Sequence, residues 1–239
     1  MDTCSNENRD LPWLLTVAAP AEAAAVLEHA SYGTSMPDEW RTTDIGDGLQ
    51  LIVTGVGKAN AAAATASAMA GGGFGAVINL GICGSLPIVS PLAMGDSIAA
   101  TRSIYADEGL QLPDGSFVGC SDMGFPLGPF DDWGVRADAG LLDAFAGLVS
   151  VTAPIATVST CSGTDALAQA VVARTWAVAE GMEGAAVGQV ASRLGVPFIE
   201  IRVVSNTTGD RDRQAWSIGP ALRRMAELAH AVREAAAAR

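Results

Sequence analysis

EGMEGAAVGQVASRLGVPFIEIRVVSNTTGDRDRQAWSI, residues Glu180 to Ile218, is the stretch from which the fold can be read. Its first part packs an acid pair, Glu180 and Glu183, into a helix start of small residues, and a helix is predicted over 183–194. An apolar run from Pro197 to Ser205 follows, reads as a strand, and ends in Asn206. Outward from this unit the same alternation recurs. Trp13–Ala19 reads as a short buried strand stopped by Pro20, and Ala21–Ala30 as a helix. Leu49–Thr54 is a second strand closing on Gly55-Val-Gly57, and Lys58–Ala70 is a helix ended by Gly71-Gly-Gly73.

Ala76–Leu80 is continuously apolar, the pattern of a strand covered on both faces. Gly95–Ala106 partly alternates and reads as a longer strand. Residues 107–136 hold many Gly, Pro and Asp and read as loops. Ala137–Gly147 and Gly163–Arg174 read as helices, Val149–Ser159 and Trp176–Ala179 as strands, and a last helix runs from about Gly219 to Arg239. The alternation predicts an α/β fold, a single domain with a central mixed or parallel sheet flanked by helices. Residues 1–10 are polar and read as a flexible N-terminus, with the domain over 11–239. No internal repeat or linker divides it.

Composition narrows the function. The apolar fraction of 49% suits packed helices and strands and argues against disorder. A net charge of −12 argues against a general nucleic-acid binder, which needs a basic face. Cys4, Cys83, Cys120 and Cys161 have no metal-ligand spacing and read as reduced thiols of a cytoplasmic protein. The two histidines, His29 and His230, lie in Ala-rich helical stretches, so a zinc site or a Ser–His triad is not expected. The start of the chain lacks signal-peptide order, and no run is apolar enough to span a membrane.

Ligands of such sheets sit at the carboxyl ends of strands. Four segments fall there: Pro20–Glu22, Gly81–Ser85, Ser159–Asp165 and Ser205–Asn206. Gly55-Val-Gly57-Lys58 reads as a tight strand-to-helix turn, or as a backbone approach to an anion. Asn79-Leu-Gly-Ile-Cys-Gly-Ser85 reads as a turn, or as a place where two glycines let a ligand reach the backbone. Glu22 could orient a water, though from composition alone an acid favouring a helix start is the simpler reading. Glu183 could accept hydrogen bonds from two vicinal hydroxyls, with Met182 offering a soft apolar surface to a sugar, or the two could be a helix-start charge and a core residue. Glu180, the competing acid, reads as a surface residue. Asn206 could donate to O6 and accept from N7–H of a 6-oxopurine, or simply form a turn.

In this order and spacing the segments resemble the purine nucleoside phosphorylase/nucleosidase superfamily, over nearly the whole chain from Leu14 onward. The nearer resemblance is to the nucleosidases that cleave methylthioadenosine and S-adenosylhomocysteine. The tail from Thr208 to Ile218 makes the futalosine hydrolase family of the menaquinone pathway the closest. The resemblance implies a nucleoside phosphorylase-like fold and hydrolysis of the N-glycosidic bond of futalosine, releasing hypoxanthine, with no cofactor and no metal. The partner it implies is a small purine nucleoside, and the assembly a homodimer or larger. Glu22 then matches the carboxylate that positions water, and Met182 with Glu183 the ribose-binding pair. Ile82, Cys83 and Gly84 match the loop beside the sugar, and Thr164 to Leu167 a segment against the base. Asn206 matches the purine-binding residue where adenine-specific members carry Asp, which favours hypoxanthine. Arg202, Arg211 and Arg213 are candidates for the benzoate carboxylate of futalosine. The alternatives are a methylthioadenosine-type nucleosidase, a nucleoside phosphorylase, or a non-catalytic nucleoside binder. A phosphorylase would need a phosphate site, and the loop Ala18–Ala24 has no Arg and carries an acid.

Overall fold

A computed structural model describes residues 11–28, 35–130 and 134–238. The expected flexible N-terminus and His29 lie outside these residues. The elements are β1 (Trp13–Val17), α1 (Pro20–Glu28), β2 (Thr42–Asp44), β3 (Leu49–Val53), α2 (Lys58–Ala70), β4 (Ala76–Ser85) and β5 (Ser97–Tyr105). They continue as β6 (Gly109–Gln111), β7 (Phe117–Gly119), β8 (Gly134–Arg136), α3 (Ala139–Ala146), β9 (Val151–Thr157) and α4 (Asp165–Thr175). Last come β10 (Ala179–Gly181), α5 (Gly184–Arg193), β11 (Phe198–Thr207) and α6 (Ile218–Ala237).

The main sheet runs β10-β9-β5-β11-β4-β1-β3-β2 and is mixed, as expected for this α/β chain. Strands β1, β3, β4 and β11 are mutually parallel, so their carboxyl ends emerge together. β10 pairs with both β9 and β4, which closes five strands into a ring. Alternate side chains of the parallel strands feed two cores. Leu15, Leu51, Ile78 and Ile199 pack on one face with Met225, Leu228 and Phe145 from α6 and α3. Leu14, Ile52, Val77 and Phe198 pack on the other with the small residues Ala61, Ala64, Ala186 and Ala191 of α2 and α5. Burial on both faces is why these strands read as unbroken apolar runs.

Several boundaries differ from expectation, each for a physical reason. β4 does not end at Leu80 but continues to Ser85, because β11 pairs with it in parallel from Phe198 opposite Val77 to Thr207 opposite Ser85. Residues 107–136 are not all loop: β6 and β7 form a hairpin, and β8 joins the main sheet against β5. Trp176 is not in a strand. It takes a left-handed φ of 54° as the C-cap of α4, and the strand begins at Ala179. Glu180 is therefore a strand residue with 4% exposure, not a surface acid. Among the described residues no helix is long and apolar enough to cross a membrane.

Candidate active site

A cavity of about 430 Å³ opens where the parallel strands end. All four strand-end segments singled out in the sequence contribute to it: Glu22, Ile82, Ser162 and Asn206 line one space.

Glu22 sits in the first turn of α1 and also faces the cavity, so the two readings of this residue describe one geometry. One carboxylate oxygen accepts hydrogen bonds from the backbone N–H groups of Ala18 and Ala19 at 2.8 and 3.0 Å. The other accepts from the N–H of Ile82 at 2.9 Å. These bonds span the ends of β1 and β4 and fix the carboxylate in place. Burial pushes its carboxyl above the usual carboxylate range, although Arg202 and the Ile82 N–H pull the other way. A carboxylate so placed and so raised is the more basic for it, which suits it to take a proton from water.

Glu183 is the N-cap of α5 but does not cap it with its side chain. Its carboxylate instead accepts from the Gly57 N–H at 2.9 Å and from Arg202 Nη2 at 3.2 Å. The Gly55–Gly57 turn is therefore a tight turn, with φ of +93° at Gly57, whose amide serves an internal anion. Lys58, next in sequence, is paired with Asp107 and Glu108.

Arg202 is 1% exposed and lies at the centre of the site. Its Nε donates to Glu200 at 2.8 Å, its Nη2 to Asn79 Oδ1 at 2.6 Å and to Glu183, and its Nη1 to the Ile82 carbonyl at 3.4 Å. Glu200 is wholly buried and also accepts from the Ser103 hydroxyl. Burial raises the Glu200 carboxyl, and Arg202 opposes that rise. One guanidinium thus stands among three buried carboxylates, Glu22, Glu183 and Glu200. Gly81 makes room for this cluster: a Cβ there would lie 2.3 Å from Arg202 Nη1 and 2.8 Å from Glu22 Oε1. The glycines of 79–85 admit neighbouring side chains into a continuous strand and do not mark a turn.

At the other end of the cavity Asn206 accepts from Ser205 Oγ at 2.9 Å and donates to the Thr207 carbonyl at 3.0 Å. Glu180 accepts from the N–H and hydroxyl of Ser162 at 2.7 and 2.6 Å. Met182, Cys83 and Gly84 also line the space. Burial pushes the Cys83 thiol up to about 12, so it is no nucleophile at neutral pH. Thr164 does not line the cavity. It is an exposed N-cap of α4, with its hydroxyl accepting from the Leu167 N–H at 3.2 Å. The β11–α6 connection adds residues that the sequence did not single out as site residues. Trp216, Gln214 and Ile218 reach the mouth, and the Arg211 guanidinium stacks 4.7 Å from the centre of the Trp216 ring. Arg213 points away and pairs with Asp165 and Asp210. Among the described residues no cluster of His, Cys, Asp and Glu is arranged to hold a metal ion.

Known proteins share the family and the fold of this chain. A family model described as the phosphorylase superfamily matches residues 13–238. A futalosine hydrolase of Acidothermus cellulolyticus is 38% identical over 224 residues, covering 89% of this chain and 86% of the relative. A futalosine hydrolase of Streptomyces coelicolor is 39% identical over 188 residues, 74% of either chain. Among solved structures, a Helicobacter pylori MTAN mutant with 5'-methylthioadenosine in the active site superposes with a TM-score of 0.73. It is 19% identical, with 94% of this chain and 99% of that one covered, a likeness of fold.

Proposed function

The chain belongs to the phosphorylase superfamily, and on that premise we propose that it hydrolyses the N-glycosidic bond of futalosine, releasing hypoxanthine and dehypoxanthinylfutalosine in menaquinone biosynthesis. The observation that carries hydrolysis over phosphorolysis is the bonding of Glu22. Backbone amides at the end of β1 could cradle a phosphate, but those of Ala18 and Ala19 are already given to its carboxylate. A second anion there would meet like charge.

The lining of the cavity supports the following roles. Glu183 accepts hydrogen bonds from the ribose hydroxyls, with Met182 against the sugar face. As the bond from C1′ to the base stretches, positive charge builds on the ribose and the electron pair leaves with the base. The excess of buried carboxylate over guanidinium favours that cation more than the neutral ground state, which is the condition for acceleration. Glu22 takes a proton from a water that attacks C1′. Asn206 donates to O6 and accepts from the N7–H that forms on hypoxanthine. Ile82, Cys83 and Gly84 flank the sugar and base. Arg202 serves by holding Glu183 and Glu200, since its donors are used within the cluster. The benzoate carboxylate is therefore assigned to Arg211 at the mouth, with Trp216 beneath it. Free thiols at Cys83, Cys120 and Cys161 support a cytoplasmic setting, and the superfamily resemblance a homodimer or larger assembly.

The test is incubation of the purified protein with futalosine, inosine and methylthioadenosine in phosphate-free buffer, with free base followed by chromatography. Hypoxanthine from futalosine is expected. Release only after phosphate is added would make it a phosphorylase, adenine from methylthioadenosine would remove Asn206 from base choice, and no release at all would leave a binding protein.

A further inference from the structure

Hydrolysis as described leaves one proton without a source. The departing base takes up an electron pair and needs a proton at N7, and the amide of Asn206 cannot supply it. The sheet places an acid beside that amide. Gly84 of β4 has Asn206 of β11 as its register partner on one side and Glu180 of β10 on the other. Partners at one register position project to the same face of a sheet. The side chains converge accordingly: a Cβ built on Gly84 would lie 3.1 Å from the Asn206 amide nitrogen and 3.6 Å from Glu180 Cγ. The Thr208 methyl lies closer still, at 2.8 Å, so the absent Cβ makes room for these three side chains over Gly84, and Asn206, Glu180 and Ser162 all line the cavity. Resting on the nucleosidase reading above, we propose that Glu180, acting through the hydroxyl of Ser162, supplies the proton that the leaving purine takes at N7.

In the step, the C1′–N9 electron pair passes to the base. N7 takes the Ser162 hydroxyl proton, and Ser162 Oγ is reprotonated by the Glu180 carboxyl. Glu180 ends as the carboxylate, accepting from the Ser162 N–H and hydroxyl as it does in this structure at 2.7 and 2.6 Å. The proton that water gives to Glu22 returns to Glu180 through solvent, so the cycle balances. Burial raises the Glu180 carboxyl, and the two Ser162 bonds oppose that rise, a balance that suits a group cycling between acid and base. The charged or titratable groups near it are Asp107, which pairs with Lys58, and the thiols of Cys83 and Cys161.

Glu180→Gln tests this because the amide can keep both Ser162 bonds, accepting the N–H and donating to the hydroxyl, while holding no transferable proton. Turnover of futalosine should fall about 100-fold or more, the range of a lost general acid. Turnover of 7-methylinosine, whose base is already cationic and leaves without a proton, should stay within about threefold of the parent enzyme. Ser162→Ala should show the same split. The parent kcat on futalosine should fall as pH rises through the raised Glu180 range, and Glu180→Gln should lack that limb. Equal losses on both substrates, or no loss on futalosine, would overturn the assignment while leaving the hydrolase intact. A parent enzyme that frees no hypoxanthine from futalosine would overturn the nucleosidase reading and this one with it.

Discussion

Replacing Arg202 with Met removes the guanidinium from the centre of the site and keeps an unbranched apolar stem, and its cost can be worked from the contacts. Four acceptors each lose a donor: Glu200, Glu183, Asn79 Oδ1 and the Ile82 carbonyl. Three carboxylates, each 4% exposed or less, then share a space with no cation. Breaking a buried ion pair from one side costs about 3–5 kcal/mol. In a chain of this size that lowers the unfolding midpoint by about 6–20 °C. The loss should depend on pH in a definite direction. The Glu22 and Glu200 carboxyls are already raised above their ordinary range, and loss of the guanidinium raises them further. Between the unfolded and the raised folded pKa the folded state binds more protons than the unfolded one, so stability falls as pH rises through that window. The deficit of the variant should therefore be largest near pH 8 and shrink toward pH 5, where these groups take up protons. Denaturant unfolding of both proteins at the two pH values measures it. An unchanged midpoint, or a deficit equal at both pH values, would refute the account of Arg202 as counter-ion to the cluster.

Gly81→Ala drives a methyl to 2.3 Å from Arg202 Nη1 in a strand paired on both sides, so about 1–3 kcal/mol of stability and most activity should be lost. Gly147→Ala, with nothing within 4 Å of the new methyl, is the control and should unfold like the parent. Glu22→Gln turns an N–H toward at least one of three backbone donors. It should cost about 1–3 kcal/mol and slow futalosine hydrolysis 100-fold or more, roughly what a lost general base costs; a single-turnover rate near that of the parent would free Glu22 of its role. Asn206→Asp should lower the turnover of futalosine relative to methylthioadenosine, and an unchanged ratio would take Asn206 out of the base site.

The helices and the parallel strands were legible because their chemistry is local. Leu14, Ile52, Val77 and Phe198 are apolar on a face that α2 and α5 cover, and Leu15 and Ile78 on the face of α6. Burial of that kind writes itself into the run of residues. The glycines of 79–85 misled for the same reason in reverse. They look like a turn, and only the ladder to β11, more than a hundred residues away, keeps them in a strand. Glu180 could not be placed from its neighbours, because what buries it is β4, paired across the sheet at Gly84. Asn206, Glu22 and Glu183 could be singled out by position after a strand or before a helix. That Arg202 is enclosed by Glu200, Asn79 and Glu183 is a fact of three-dimensional packing, as is the approach of Trp216 and Arg211 to the mouth. Each has a residue type that invites a role, but no spacing that fixes one.

β11 lies between β5 and β4 in the sheet, yet it is the last strand in the chain. During synthesis everything up to Leu194 can emerge while the middle of the sheet is still missing. Until residues 198–207 arrive, β4 and β5 each present an open edge, and open edges are where chains pair with the wrong neighbour. The acids of the site share this timing. Glu22 and Glu183 precede Arg202 in sequence, so enclosing them before it arrives would bury charge with no counter-ion. A nascent chain is thus held loose by its own carboxylates, and the strand that completes the sheet carries the cation that permits closure. Folding of this protein on the ribosome should be a late, concerted event and not a progressive one, and chains cut before Phe198 should be claimed by chaperones or aggregate.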